Sequence, residues 1–209
     1  MSRAVGGASK GDIPPQQSVF LNLPFDAKHR RTYVALICGL TTLGLLPRLV
    51  SESVEPKDRL SRLLELIGKC SFSIHDLSYI SRSTLTDRLN MPFELGLAIA
   101  WRSFGNAHHR WWCLERKKYE LISLLSDLGG HDFYIHDAKP RGVFRFLANV
   151  FERSAIGIQD MEAVYREVNE QLVRPWLQVD RNRNVYTGDS FRALVLKSTA
   201  IAERMRRLR

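Results

Sequence analysis

No run in the chain approaches the roughly 18 to 20 consecutive apolar residues that a membrane-spanning helix needs, so no helical span is expected. GxxxxGK[ST] is missing, and no GxGxxG follows the first apolar stretch, where Leu23-Pro24-Phe25-Asp26 stands instead. Without a P-loop or a dinucleotide fingerprint, kinase and dehydrogenase readings lose ground. Neither HExxH nor CxxC occurs, and Cys38, Cys70 and Cys113 lie in apolar runs without ligand spacing. No metal is therefore expected. Three cysteines are an odd count that gives no disulfide framework, so the expected compartment is a reducing cytoplasm. No GxSxG elbow exists to make Ser78 a nucleophile with His75 as its base. The segment 1–17 has no apolar core of a signal peptide and reads as a disordered lead, which argues against export.

What is present is ordinary globular composition with a basic balance. A length of 209 residues suits one domain plus an appendage. The net charge of +9 is spread along the chain, with a local excess only at Lys197, Arg204, Arg206, Arg207 and Arg209. Most of these cations read as solvated helix faces, and the basic C-terminal helices are where a nucleic-acid or protein regulator would bind. The other histidine groups, His108-His109 and His131 with His136, read as surface or strand-end residues.

Strand-like and helix-like segments alternate. Ser18 to Leu23 has the length and residue types of a buried strand, and Arg30 to Leu46 follows as a helix closed by Gly44. A second strand spans Leu45 to Val50, and Asp58 to Lys69 is an amphipathic helix whose apolar side is Leu60, Leu63, Leu64, Leu66 and Ile67. The third strand runs from Ser71 to Ser78, and a loop from Tyr79 to Asn90 leads to a central helix. Arg110 to Leu114 and Asp132 to His136 are further strands, with helices over Tyr119 to Leu128 and Gly142 to Arg153. This order predicts an α/β, doubly wound, mainly parallel five-stranded sheet joined by right-handed crossovers over residues 18–153. Beyond it, Asp160 to Leu177 and Asp189 to Leu208 form a C-terminal helical appendage in residues 154–209, too short to hold a core alone.

In such sheets ligands lie outside the carboxyl ends of the strands, where strand order reverses. Asn22, Phe25, Asp26, Arg48, Glu52, Asp76, Ser78 and Glu94 all gather on that edge. Asp76 caps the following loop or accepts a ligand hydroxyl. Arg48 pairs with Glu52 on the rim or meets a phosphate, which its planar fork suits.

Glu94 is the odd residue in Leu89-Asn90-Met91-Pro92-Phe93-Glu94-Leu95-Gly96-Leu97-Ala98-Ile99-Ala100. No residue from Leu95 to Trp101 is charged, so the helix is expected to be buried on most of its surface. Pro92 suits the first helical position, which puts Glu94 at the third, the place of a capping-box Glu. The cap would then be Met91 or Asn90, neither of which is Ser or Thr, so half of that structural explanation is missing. Asn90 and Met91 precede Glu94 and are counted with the substrate-binding residues.

Phe93-Glu94-Leu95-Gly96-Leu97-Ala98, after a strand ending His75-Asp76-Leu77-Ser78 and a first strand ending Asn22-Leu23-Pro24-Phe25, resembles the nucleoside 2-deoxyribosyltransferase family. It is also similar to the related TIR-like glycohydrolase domains of bacterial defence systems. The similarity covers about Ser18 to Arg153. It implies a flavodoxin-like domain that breaks the C–N bond between base and sugar, with Glu94 matching the family's catalytic Glu and Asp76 an acidic position near the sugar. Phe25 and Asp26 match the first loop, which lines the base or ribose pocket. Such cleavage passes through an oxocarbenium-like state that a carboxylate can stabilise or trap. A carboxylate near its reference pKa of about 4.3 at a helix N-terminus would be ionised at neutral pH.

The expectation is an N-glycosidase acting on NAD or a nucleotide, as an antiviral or toxic effector, with NAD as substrate rather than cofactor. Nicotinamide leaves as a neutral molecule, whereas a purine needs a proton donor that the sequence does not show. The alternatives are a salvage deoxyribosyltransferase and a non-catalytic, nucleotide-sensing or scaffolding domain. A homo-oligomer is expected in each case.

Overall fold

The computed structural model describes residues 18–52, 58–78, 80, 89–118, 125, 128, 130–151 and 155–208. The lead expected to be disordered, most of the loop expected from Tyr79 to Asn90 and most of the helix expected over Tyr119 to Leu128 lie outside them. The sheet contains β1 (Ser18–Asn22), β2 (Leu46–Arg48), β3 (Phe72–Asp76), β4 (Arg110–Glu115) and β5 (Phe133–Ile135) in the order β2-β1-β3-β4-β5. All four pairings are parallel, with Val19 opposite Phe72 and Asn22 opposite His75 at the centre. This is the flavodoxin strand order, which reverses between β1 and β3 and opens a crevice above their carboxyl ends.

β1 is buried at all five positions, as a central strand covered on both faces must be. The helix after it, α1 (Arg30–Thr42), is buried at every residue from Thr32 to Thr42. A helix with no wet face must satisfy its polar side chains internally. Thr32, Thr41 and Thr42 do so by donating to the carbonyls of His29, Ile37 and Cys38. Gly44, at φ 72°, then turns the chain into β2.

Asp58 caps α2 (Arg59–Lys69) by accepting from the Ser61 amide at 2.9 Å. Leu63, Leu66 and Ile67 of α2 join Phe20, Val50 and Cys70 in a small core. Leu60 and Leu64, expected on the apolar side, are 46% and 50% exposed, because the buried stripe of α2 is narrower than its leucine content.

Helix α3 (Asn90–Ala100) corrects two expectations. It begins at Asn90, so Pro92 is its third residue, still within the first turn where an amide hydrogen is not needed, and Glu94 its fifth. Nor is it mostly buried: Met91, Glu94, Leu95 and Ala98 face inward while Phe93, Gly96 and Ala100 are exposed. Its outer face therefore carries an apolar stripe, Leu89 55% and Phe93 53% exposed, continued through a π-turn (Trp101–Gly105) to Phe104 at 92%.

α4 (Pro140–Val150) covers the same side of the sheet as α1. α5 (Ile158–Val168) continues through a π-turn (Asn169–Val173) into α6 (Arg174–Val179), the wider turn falling just before Pro175, which cannot donate to the helical ladder. α7 (Gly188–Arg207), capped by Thr187, closes the described chain. Met161, Val164, Val168, Phe191, Leu194 and Ile201 from this C-terminal part belong to one hydrophobic core with α1 and α4. The appendage thus forms a further layer that seals α1 from outside, packing on the helices rather than on the sheet. No helix among the described residues is long and apolar enough to cross a membrane.

Candidate functional site

At the β1/β3 reversal lies a cleft of about 410 Å³, lined among others by Asn22, Phe25, Ser51, Arg59, Asn90, Met91 and Glu94. β1 supplies Asn22 at its last position, the loop after it supplies Phe25, and the 3-10 turn Val50–Glu52 after β2 supplies Ser51. α2 brings Arg59 and α3 brings Asn90, Met91 and Glu94. The cleft is therefore walled by the first turns of two helices, whose free amide groups favour a bound anion.

Glu94 is 5% exposed, and its Oε1 lies 3.0 Å from Nη2 of Arg59, whose own side chain is 59% exposed. Five residues into α3, it has left the capping position and reaches across to α2 instead. Burial raises the Glu94 pKa above the ordinary value, and the hydrogen bond and charge of Arg59 oppose that rise. The sequence-based expectation of an ordinary carboxylate is corrected accordingly, because desolvation outweighs the single guanidinium.

Asp76 does not reach the cleft. It is fully buried at the end of β3, with Oδ2 3.1 Å from Nε2 of both His29 and His136, and Oδ1 accepting from the Ser78 amide at 3.0 Å. Burial alone would raise its pKa, but His136, His29 and the Ser78 hydrogen bond bring it down to about 2. Ser78 is buried beside it, its Oγ 2.9 Å from the same Nε2 of His136. In a serine triad the carboxylate and the hydroxyl sit on opposite ring nitrogens. Here they share one, and Nδ1 of His136 accepts the Ala138 amide at 3.0 Å. The group is a structural junction between β3, α1 and β5.

The remaining predicted residues divide. Asn22, Phe25, Asn90 and Met91 line the cleft with Glu94. Asp26 accepts from the His29 amide at 3.0 Å and, through its carbonyl, from the Tyr186 hydroxyl. Arg48 and Glu52 form the rim ion pair, with Glu52 also accepting from the Leu49 amide at 3.2 Å. That pair lines a separate groove between β2 and α7. His109 and His136, 0% and 1% exposed, are strand-end residues that adjoin β4 and β5, whereas His108 and His131 are exposed on the surface.

Arg59 and Tyr186 were missed. Arg59 carried a usable signal, since a cation in the first turn of a helix opposes the helix dipole and invites a reason for its presence. Tyr186 stacks on Phe25 at 5.2 Å and donates to the Asp26 carbonyl across 160 residues of chain, and no local pattern marks it. Gly188, two residues later, comes so close to the Ser51 carbonyl that a Cβ would lie 2.5 Å from its oxygen. The C-terminal layer thus buttresses two walls of the cleft. Among the described residues no group of His, Cys, Asp and Glu could hold a metal ion. Compared with protein-family models, curated proteins and solved structures, the chain matches none.

Proposed function

We propose that the cleft binds NAD or a related nucleotide and that Glu94 assists cleavage of the bond between the sugar and its base. The observation carrying this reading is the Glu94–Arg59 pair: a nearly buried carboxylate in a cleft at the topological reversal, held by a guanidinium that is itself more than half exposed. Arg59 has donors left for a ligand phosphate, which its planar fork suits. Phe25, 49% exposed over Tyr186, offers an aromatic face to a base. As the C–N bond lengthens, its electron pair departs with the base and the sugar C1′ becomes oxocarbenium-like. The Glu94 carboxylate stabilises or traps that centre. Water then bonds to C1′ through its oxygen and gives a proton to solvent, and where Glu94 has trapped C1′ the ester bond between them breaks with its electron pair returning to the carboxylate. Glu94 is the one carboxylate lining the cleft among the described residues, which favours a leaving group, such as nicotinamide, that needs no proton.

Support for an effector role comes from the resemblance alone. The exposed stripe of Leu89, Phe93 and Phe104 favours self-association of this chain, which sedimentation at increasing concentration tests. Two cations of the basic tail are engaged internally, Arg204 with Glu167 and Arg206 with the carbonyls of Thr41 and Thr42, which weakens the case for nucleic acid there.

The test is incubation of purified protein with NAD and, separately, a panel of deoxynucleosides, following free base by chromatography. Base release that falls roughly 100-fold or more in Glu94→Gln supports the reading, and the responding substrate separates glycohydrolase from deoxyribosyltransferase. Nucleotide binding without release, unaltered in kind by Glu94→Gln, overturns it in favour of a sensing domain.

A further inference from the structure

A hydrogen-bonded chain runs beneath the cleft, and its direction is determined from its far end. The Cys70 carbonyl has no proton to give, so His109 Nδ1, 2.9 Å away, carries one. Burial depresses the His109 pKa, so the neutral ring presents a lone pair at Nε2, and the Ser73 hydroxyl at 3.1 Å donates to it. That spends the single proton of Ser73. Its oxygen must therefore accept from His75 Nε2, 3.0 Å away, which leaves a lone pair at His75 Nδ1. Nδ2 of Asn22 stands 3.1 Å from that nitrogen and donates its second hydrogen to the Met91 carbonyl at 2.8 Å. None of the four side chains is more than 3% exposed. Two acceptors thus claim both amide hydrogens of Asn22, and a flipped amide would set oxygen against the Met91 carbonyl.

Among the described residues nothing donates to Oδ1 of Asn22, and this residue lines the cleft beside Glu94 and Arg59. We infer that Asn22 presents its side-chain oxygen to the cleft as the acceptor for a ligand hydroxyl or amide N–H, and that His75, Ser73 and His109 are positioning residues that keep the amide from turning over. The ligand class is one that brings a hydrogen-bond donor to the cleft floor, and an anionic group is repelled there. On the glycosidase reading, on which this identification rests, the donor is a ribose hydroxyl. The orientation of the amide stands without that reading.

The histidine tautomers test the chain directly. Long-range ¹H–¹⁵N spectra of the full chain at neutral pH are expected to show His75 protonated at Nε2 and His109 at Nδ1. The opposite tautomer at either ring overturns the inference. A second measurement uses NAD as the probe, in a Glu94→Gln background that removes turnover. Ser73→Ala cuts the chain without touching the cleft and is expected to weaken NAD binding roughly 3- to 10-fold, the equivalent of one neutral hydrogen bond. Ser73→Thr keeps the hydroxyl and is expected to restore binding. Unchanged affinity in a folded Ser73→Ala protein, or failure of Ser73→Thr to rescue, overturns the positioning role. If NAD does not bind the parent at all, the proposed function fails, while the tautomers still decide the orientation of Asn22.

Discussion

Arg59 begins α2, where the dipole disfavours a cation, and Glu94 compensates from the neighbouring helix. The pair is unequal: burial raises the carboxyl pKa and Arg59 alone opposes it. In Arg59→Ala burial acts without that opposition, so the Glu94 pKa rises further and the carboxylate form is reached only at higher pH. The acidic limb of the base-release profile is expected to move upward, with affinity for NAD falling roughly tenfold or more for the lost phosphate contact. An acidic limb that stays in place would separate Arg59 from the chemistry. Asp76 and His75 lead to a second prediction, on stability. His75 titrates near 6.5 when unfolded and at about 3 when folded, so its contribution is complete above pH 6.5 and is lost as pH falls. Asp76, near 3.9 unfolded and about 2 folded, contributes fully above pH 4 and loses that contribution between about 4 and about 2. Urea midpoints are expected to fall in two stages on acidification. Asp76→Asn should flatten the lower stage and leave the upper one intact. Glu94, Asn22 and Phe25 were legible in the sequence as chemistry-bearing residues at strand exits and a helix start. The junction of His29, Asp76 and His136 was not, because it joins three elements and no spacing announces it.

At the scale of elements, the helix starts do the positioning. The first turn of α4 passes so close to His136 that a Cβ on Gly142 would lie 2.3 Å from the His136 carbonyl oxygen. Backbone cannot yield as a side-chain tip can. Gly142→Ala is therefore expected to cost about 1 to 3 kcal/mol and to disturb His136, the partner of Asp76, as read by thermal unfolding and the His136 ring resonances. An unchanged melting temperature would mean that the contact relaxes freely. The alternation of elements and the parallel sheet could be read from periodicity and turn residues alone, since Gly44 and Asp58 end and begin helices by local chemistry. The start of α3 could not, because Pro92 is tolerated at any of the first positions and nothing local chooses among them. The outward face of the same helix misled for a related reason. An all-apolar segment carries no polar residue to show which side meets water.

For the whole molecule, α1 is the hub: the sheet lies beneath it and α4, α5 and α7 surround it. A chain ending near residue 153 would expose the side of α1 that α5 and α7 cover, together with the Tyr186 support of Phe25. Such a truncation is expected to lose cooperative unfolding and to bind the apolar dye ANS strongly. A sharp thermal transition in that fragment would show instead that the C-terminal layer is dispensable.

The enclosure of α1 also has a consequence during synthesis. Arg206 closes onto the carbonyl of Thr41 across 165 residues of chain. At roughly 5 to 20 residues per second, the ribosome needs on the order of ten to thirty seconds to make that stretch. Through that interval one side of the central helix has no covering layer, so the nascent chain is a natural client for a chaperone that shields apolar surface.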